Sequence, residues 1–267
     1  MLKKTMAMIL LCLPLSCFSH PHTIALTIDD LPFVGEEKNF HLSMIIKALT
    51  EQHVPATGFV IAGAVSKNNW PLLHQCREAG LALGNHTMTH ANLNKIGAEA
   101  YIQDIDAADK RLSPVLSRPK YFRYPYLVMG TGQAKDHVMQ YLADKHYHIA
   151  PVTIDSKDFV FNQLLLAISE KERRAFLTIL KPCYLAFLWQ QTLQAEARTR
   201  NTPEQAQILL IHSNLLNAYV LPDLITLYRQ QGYHFVSLKR ALQIHHAPPA
   251  VETLPDELNE DPSMMWN

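Results

Sequence analysis

Short, almost continuous apolar runs alternate with longer segments in which apolar residues recur at helical spacing. The first pattern is typical of buried strands, and the second is typical of amphipathic helices. The predicted strands are residues 23–28, 54–63, 81–86, 120–125, 147–155, 207–212 and 233–238. The predicted helices are residues 40–53, 70–80, 98–116, 135–146 and 218–232. Gly80 is well placed as a C-cap of the second helix, and Pro114 is expected to end the third or force its last turn.

Strands that alternate with helices predict an α/β fold with a parallel sheet, either open or closed into a barrel. Polar residues at the C-terminal ends of the predicted strands favour a barrel, because barrel enzymes carry their active sites on that face. These residues are Asp29, Asp30, His86, Arg123, Asp155, Asp158 and His212.

Residues 162–206 interrupt the alternation of strands and helices. They are rich in helix-forming residues, so the sequence predicts a helical insertion that flanks the site and that Pro182 splits in two. The main domain is expected to cover residues 20–246. The tail, residues 247–267, contains several prolines and acids and is predicted to be extended.

Residues 1–19 are predicted to form a secretory signal peptide. Lys3 and Lys4 precede an apolar run that is too short to span a bilayer, and Cys17-Phe18-Ser19 offers a small-x-small cleavage site before His20. The expected location is therefore periplasmic or secreted, without a transmembrane span. Lipoprotein processing at Cys17 is the alternative.

Composition and net charge limit the classes of binding partner that the sequence indicates. The 267 residues are 48% hydrophobic and have a formal net charge of zero, so nothing indicates binding to nucleic acid or to an anionic membrane. A neutral polymer would suit such a surface, and no protein partner can be inferred. Beyond the leader, Cys76 and Cys183 lie in predicted helices; a disulfide is permitted in an oxidising compartment, but buried thiols are the simpler expectation.

The chemistry is concentrated in the segments TIDD and HTMTH. His86 and His90 are four residues apart, so on one face of a helical turn they could bind the same ion. In the adjacent pair Asp29 and Asp30, one carboxylate could bind that ion while its neighbour remains free as a base. One carboxylate and two imidazoles leave a coordination position open, as in catalytic zinc sites. The sequence therefore predicts a metal-dependent hydrolase with one divalent ion, expected to be zinc, with cobalt, nickel or manganese as alternatives.

Taken together, these segments resemble the ordered motifs of the polysaccharide deacetylases, carbohydrate esterase family four, also called the NodB-homology domain. The resemblance runs from about residue 23 to 240 and rests on five segments, residues 27–31, 86–90, 123–126, 158–159 and 209–212. It implies a distorted (β/α) barrel of the NodB-homology deacetylase type with a helical insertion. By the same resemblance Asp29 would be the general base, and the metal ligands would be Asp30, His86 and His90.

The later motifs imply the remaining roles. Arg123 would keep Asp29 ionised and oriented, and the backbone N–H of Tyr126 would point at the oxyanion. His212 would protonate the leaving amine, with Asp158 bonded to its far nitrogen. A small apolar slot for the acetyl methyl group would be walled by Leu209 and Phe159.

The implied function is an exported, metal-dependent N-deacetylase that releases acetate from an N-acetylated glycan such as peptidoglycan or a chitin-like polymer. An O-acetyl esterase acting on xylan or another polymer remains open, as does a catalytically silent glycan-binding module. The chain departs from the family pattern at Leu31 and Leu127, where glycine is usual, and at Phe159, where tryptophan is usual. Leu31 is expected to make the floor of the groove bulkier. Asp155 is expected to accept backbone N–H bonds and to support the rim.

Overall fold

The structure, a computed structural model, describes residues 22–33, 40–198 and 206–244. The predicted leader and the predicted tail lie outside these residues. The strands are β1 (His22–Leu31), β2 (Ala56–Val60), β3 (Ala82–Asn85), β4 (Lys120–Phe122), β5 (Tyr147–Ile149), β6 (Ile154–Asp155), β7 (Gln207–His212) and β8 (Tyr233–Phe235). The helices are α1 (Phe40–Glu51), α2 (Trp70–Glu78), α3 (Leu93–Ile96), α4 (Ala98–Leu112), α5 (Gly132–Asp144), α6 (Asp158–Leu166), α7 (Glu170–Arg198), α8 (Leu215–Gln230) and α9 (Leu238–Ile244).

The strands form one parallel sheet in the order β5-β4-β3-β2-β1-β7-β6, and β8 pairs with the start of β1. The sheet curls into a half-barrel with helices packed on its outer face, which confirms the predicted distorted (β/α) barrel. The C-terminal ends of parallel strands lie on one rim, and the polar residues of the sequence motifs gather there.

Strand β1 lies at the centre of the sheet and pairs with β2, β7 and β8. Its alternate residues Ile24, Leu26 and Ile28 pack against the outer helices, while Ala25 belongs to the cluster inside the barrel. Both faces of β1 are thus covered, and this explains why its sequence is an almost continuous apolar run. By the same alternation Asp29 turns toward the interior.

Helix α9 closes the barrel at the end opposite to the motif residues. Its side chains Leu238 and Ala241 pack with Ala25 and Ile208, which face inward from β1 and β7. The sequence analysis missed this helix and also the short helix α3. Both have few residues, so their periodicity is too brief to be recognised.

The expectations for residues 147–155 and for Pro182 were wrong. Residues 147–155, predicted as one strand, form β5 and β6 at opposite ends of the strand order, with Pro151 in the connection. Proline lacks the N–H that a continuous strand would need at this point. Pro182 does not divide the insertion either, since α7 runs through it as one helix of 29 residues.

The two cysteines in the described ranges are free. Cys76 is buried in α2, as expected, whereas Cys183 is exposed on α7. No helix among the described residues is long and apolar enough to cross a membrane.

Leu31 and Gly58 fit each other across β1 and β2. The Leu31 side chain is completely buried in the core, so the expected bulkier groove floor is not found. A Cβ atom added at Gly58 would lie only 2.6 Å from Leu31 Cδ2 and 3.3 Å from Leu83 Cδ2. The leucine that replaces the usual glycine after the Asp-Asp pair is thus accommodated by a glycine on the neighbouring strand.

We expect Gly58→Ala to lower the free energy of unfolding by about 1–3 kcal/mol, because the added methyl overpacks a closed core. In the double variant Gly58→Ala/Leu31→Ala the leucine that the new methyl would contact is gone. The double variant should therefore lose clearly less unfolding free energy than the two single variants lose together. Urea denaturation of the metal-free wild type, the two single variants and the double variant measures the four free energies of unfolding that the comparison needs. Strict additivity would show that Leu31 and Gly58 are not coupled.

Candidate active site

Asp30, His86 and His90 converge on one point at the rim. Their nearest ligand atoms all lie within 4.8 Å of one another. Asp30 Oδ1 is 3.3 Å from His86 Nε2 and 3.2 Å from His90 Nε2. Asp30 lies near the end of β1, and the two histidines lie in the loop after β3. The structure therefore brings together the three residues that the sequence suggested as metal ligands.

The hydrogen bonds of this cluster fit a cation. Asp30 Oδ1 is buried, and no described group donates a hydrogen bond to it in suitable geometry. His86 Nδ1 lies 2.9 Å from the backbone carbonyl of Arg123, which can only accept, so Nδ1 carries the proton. Nε2 of His86 then presents its lone pair toward Asp30, as in metal-binding histidines oriented by a carbonyl. A buried oxygen without a donor and an imidazole fixed in the ligating tautomer are what a metal site requires.

Electrostatics keep the carboxylate of this cluster ionised. Burial alone would raise the pKa of Asp30, but the imidazoles of His90, His86 and His212 lower it well below its usual value. For His90, burial lowers the pKa, and the Asp30 charge more than reverses this, so its pKa is raised. The two groups thus stabilise each other's charged form.

The HTMTH segment is not helical, contrary to the sequence-based expectation. It is an irregular loop in which Thr87 and His90 adopt positive φ angles of 64° and 57°. The His90 N–H donates to Thr87 Oγ1 at 3.0 Å, and the Thr87 N–H donates to Asn85 Oδ1 at 2.7 Å. The loop therefore brings the two imidazoles together by local hydrogen bonds instead of helical spacing.

Asp104 of α4 fixes the middle of this loop. Its Oδ2 accepts the backbone N–H groups of Met88 and Thr89 at 3.1 and 3.0 Å, and its Oδ1 accepts the Thr89 hydroxyl at 3.0 Å. Sequence reasoning missed Asp104, because a single acid within an amphipathic helix has no distinguishing pattern. Its position indicates that it supports the two histidines.

Beside the cluster, Asp29 is held by a buried arginine. Arg123 Nη1 lies 3.4 and 3.3 Å from Asp29 Oδ1 and Oδ2, and Nη2 donates to Thr27 Oγ1 at 3.1 Å. Asp29 Oδ2 is 3.9 Å from His86 Nε2, so this carboxylate lies next to the candidate metal position. Burial lowers the pKa of Arg123, and the Asp29 charge opposes that shift.

On the other side of the cluster lies a pair formed by Asp158 and His212. Asp158 Oδ1 is 2.6 Å from His212 Nδ1, and Asp158 Oδ2 accepts the His212 backbone N–H at 2.7 Å. His212 Nε2 is 4.0 Å from Asp30 Oδ2 and so faces the cluster. Burial would lower the pKa of His212, but Asp158 and the acids of the cluster raise it to about 10.

Two asparagines from the start of α8 complete the surroundings of Asp158. Asn214 Nδ2 donates to Asp158 Oδ2 at 3.0 Å, and Asn217 Nδ2 donates to the same oxygen. Burial would raise the pKa of Asp158, but the charge and hydrogen bonds of His212, together with the Asn217 bond, lower it. The sequence analysis did not identify either asparagine.

Three further predicted residues lie around the cluster, each beside a different neighbour: Tyr126, Phe159 and Asp155. Tyr126 has a positive φ of 55°, and its ring centroid is 4.5 Å from that of His90. The Phe159 ring is 6.1 Å from the His212 ring and perpendicular to it. Asp155 accepts the backbone N–H of Lys157 at 3.0 Å, as expected for a residue that supports the rim.

Leu209 does not lie where an acetyl slot would require it. It pairs with Leu26 across β7 and β1, and its side chain is completely buried in the core against the outer helices. Side chains alternate along a strand, so Leu210 and not Leu209 shares the face of His212. The prediction for Leu209 was therefore wrong by one residue.

Residues 19–149 match the family model described as polysaccharide deacetylase. A chitin deacetylase of Arthroderma benhamiae is 28% identical over 143 residues, which is 51% of this chain and 35% of that protein. A peptidoglycan-N-acetylglucosamine deacetylase of Bacillus cereus is 26% identical over 147 residues, 53% of this chain and 49% of the relative. The matches thus span about a third to a half of the length of these relatives. Together they place the chain in the polysaccharide deacetylase family.

The solved structures extend the comparison of the fold beyond residue 149. A pseudoenzyme of carbohydrate esterase family four from Bacillus anthracis superimposes with a TM-score of 0.61 at 18% identity, covering 86% of this chain and 68% of the other. At this identity the likeness concerns the fold alone. The family match includes the three candidate ligands, Asp29 and Arg123, whereas Asp158 and His212 lie outside it.

We expect Asp104→Ala to weaken zinc binding by about tenfold, because the loop loses three hydrogen bonds while both histidines remain. Titration of the metal-stripped protein against a chelator of known affinity measures the dissociation constant. Asp106→Ala is the matched control, since Asp106 lies on the same helix and bonds to Lys110 and Tyr141 instead. Equal affinities of the two variants would contradict the role given to Asp104.

Proposed function

We propose that the protein is a metal-dependent N-deacetylase that hydrolyses acetamido groups of an N-acetylated glycan. One observation carries this proposal: two separate proton-handling groups flank the same candidate metal cluster. Asp29 approaches it from one side, with Oδ2 at 3.9 Å from His86 Nε2, and His212 from the other, with Nε2 at 4.0 Å from Asp30 Oδ2. Hydrolysis of an amide needs both a base for the water and an acid for the leaving amine.

Asp30, His86 and His90 would hold the divalent ion. When bound there, such an ion acts as a Lewis acid toward the acetyl carbonyl and makes water more acidic. The donor set of one carboxylate and two imidazoles suits zinc, with cobalt, nickel or manganese as alternatives.

Asp29 would take the proton of the attacking water at one of its carboxylate oxygens. Arg123 lies against both of these oxygens, so the carboxylate has one orientation and cannot turn away. A buried base that is held in this way needs no reorganisation when the water arrives.

His212 would donate its Nε2 proton to the departing amine. Because the Asp158 charge keeps the pKa of His212 high, the imidazole is protonated at neutral pH and can serve as an acid. Asp158 Oδ1 also accepts a hydrogen bond from the Nδ1–H of His212, so Nε2 is the ring nitrogen that faces the substrate. The backbone N–H of Tyr126 is proposed as the oxyanion donor, and Phe159, next to His212, is proposed as an apolar wall.

The names of the relatives support a glycan substrate, since they refer to chitin and to peptidoglycan N-acetylglucosamine. The chain covers only part of those proteins, and both polymers are proposed as substrates. The resemblance in fold to a pseudoenzyme keeps a silent glycan-binding module as a candidate. A complete set of base, acid and candidate ligands favours catalysis, and the same site could also attack an ester. The basic and apolar pattern of residues 1–19 supports export.

We expect the zinc-loaded protein to release acetate from N-acetylglucosamine oligomers or from peptidoglycan. Asp29→Asn should lower kcat by about 10²–10⁴-fold, because it removes the base but keeps the shape of the side chain. His86→Ala should abolish activity together with stoichiometric metal binding. Asp223→Asn, which alters an exposed ion pair with Lys181, is the control.

The same assay separates the alternatives. Faster turnover of acetylated xylan than of acetamido sugars would favour the esterase. A protein that binds the ion and the glycan but releases no acetate from either substrate would be the silent module.

The pH profile should depend on Asp158. In Asp158→Asn the negative charge that raises the pKa of His212 is gone, so His212 loses its proton at a lower pH. We therefore expect the basic limb of kcat against pH to move to lower pH and the maximal rate to fall by about 10²-fold or more. Asp155→Asn, which removes the ion pair with Lys157 and leaves Asp158 and His212 untouched, should keep the wild-type basic limb. An unshifted basic limb in Asp158→Asn would exclude His212 as the acid.

A further inference from the structure

Tyr184 connects the helical insertion to the active site. It lies in the middle of α7, and its side chain is completely buried. The hydroxyl donates to Asn217 Oδ1 at 3.5 Å, and the neighbouring Ser156 side chain acts on it electrostatically. Its ring packs against Phe161, with centroids 5.2 Å apart. A phenol this deep in the core requires a polar partner, and its partner Asn217 belongs to the surroundings of Asp158.

Asn217 and Ser156 hold Asp158 at different atoms. Asn217 Nδ2 donates to Asp158 Oδ2 and also to the backbone carbonyl of His212, at 2.9 Å in the latter case. Ser156 Oγ accepts the backbone N–H of Asp158 at 3.3 Å. The Tyr184 hydroxyl therefore bonds to the residue that holds the Asp158 carboxylate and is a neighbour of the residue that holds the Asp158 backbone.

We propose that Tyr184 is a positioning residue for the proton donor: through Asn217 it fixes Asp158, and Asp158 fixes the His212 ring. The inference rests on the proposed function of this site and assigns a role to the helical insertion. The side chains of Tyr184, Asn217 and Asp158 are completely buried, and in such a region hydrogen bonds are stronger and a missing partner is costly. Without the hydroxyl, the Asn217 amide loses the partner at its oxygen and can rotate away from Asp158.

Tyr228 of α8 offers a matched control for this role. It is also a completely buried tyrosine, and its hydroxyl lies 2.7 Å from Thr192 Oγ1. That bond joins α8 to α7, as the Tyr184–Asn217 contact does, but neither of its members holds Asp158. Removing either hydroxyl leaves the aromatic ring in place and takes one buried hydrogen-bonding group from the α7–α8 interface.

The first experiment uses the leaving group as the readout. An acetamido sugar releases an amine that must be protonated, whereas 4-nitrophenyl acetate releases a phenolate that leaves without an acid. Tyr184→Phe should lower kcat for N-acetylglucosamine oligomers on the order of tenfold. KM should not change, because Tyr184 is buried away from the substrate, and the rate on 4-nitrophenyl acetate should stay at the wild-type level. Tyr228→Phe should match the wild type on both substrates.

The outcomes separate this inference from the proposed function. Equal losses on the amide and the activated ester, or equal effects of Tyr184→Phe and Tyr228→Phe, would overturn the positioning role. A wild-type protein that is inactive on every acetylated glycan would overturn the proposed function instead, and a spectroscopic test then decides the role of Tyr184.

That test follows the proton between His212 Nδ1 and Asp158 Oδ1, which are 2.6 Å apart. A hydrogen bond this short gives a proton resonance at low field in the NMR spectrum of the zinc-loaded protein. We expect this resonance to shift or broaden in Tyr184→Phe and to remain unchanged in Tyr228→Phe. An unchanged resonance in Tyr184→Phe would refute the inference, whether or not the protein is active.

Discussion

The arrangement of this site depends on the hydrogen bonds and the ion pair made by the buried guanidinium of Arg123. A charge removed from water costs several kcal/mol unless it is paired and fully hydrogen-bonded. Arg123 meets this condition with the Asp29 carboxylate, the Thr27 hydroxyl and the carbonyls of Ala150 and Pro151. The two carbonyls belong to the connection between β5 and β6, which lie at opposite ends of the strand order. One side chain therefore spans the part of the barrel that no strand pairing closes, and in doing so it orients the candidate base.

The backbone of Arg123 extends the same constraint to the metal cluster. Its N–H donates to the carbonyl of Asn85, and its own carbonyl lies 2.9 Å from His86 Nδ1. Arg123 thus fixes the candidate base Asp29 through its side chain and the candidate ligand His86 through its main chain. The surrounding loops have unfavourable backbone angles, which a rigid framework must stabilise. Around the site, positive φ angles occur at Asp30 near the end of β1 and at Thr87, His90, Tyr126 and Leu127 in the segments after β3 and β4. Only Leu127 stands where the family pattern has glycine, so here the chain tolerates strain that a glycine would relieve.

The sequence predicted the parallel barrel and the set of polar residues on its rim because strand ends in a parallel sheet converge. It failed where local pattern does not determine conformation. Two histidines four residues apart fit a helix and also fit the hydrogen-bonded loop that the structure contains. The Leu209 error was avoidable, since Leu210 is two residues before His212 and must share its face. Asn217 could not have been found, because the packing of α6, α7 and α8 decides its contact with Asp158.

The two halves of the site meet at one position of the sheet register. The candidate ligands and Asp29 lie in the part of the chain that matches the family, and His212 enters from outside it on β7. In the pairing of β1 with β7, Asp29 lies opposite His212, so the candidate base and acid point to the same face. A shift of one residue in this register would turn His212 into the core among the outer helices. The apolar residues Ile208, Leu209 and Ile211 prevent such a shift, because each face of β7 is already matched to its own core. Packing that has no part in the chemistry therefore sets the distance between the two groups that would move the protons.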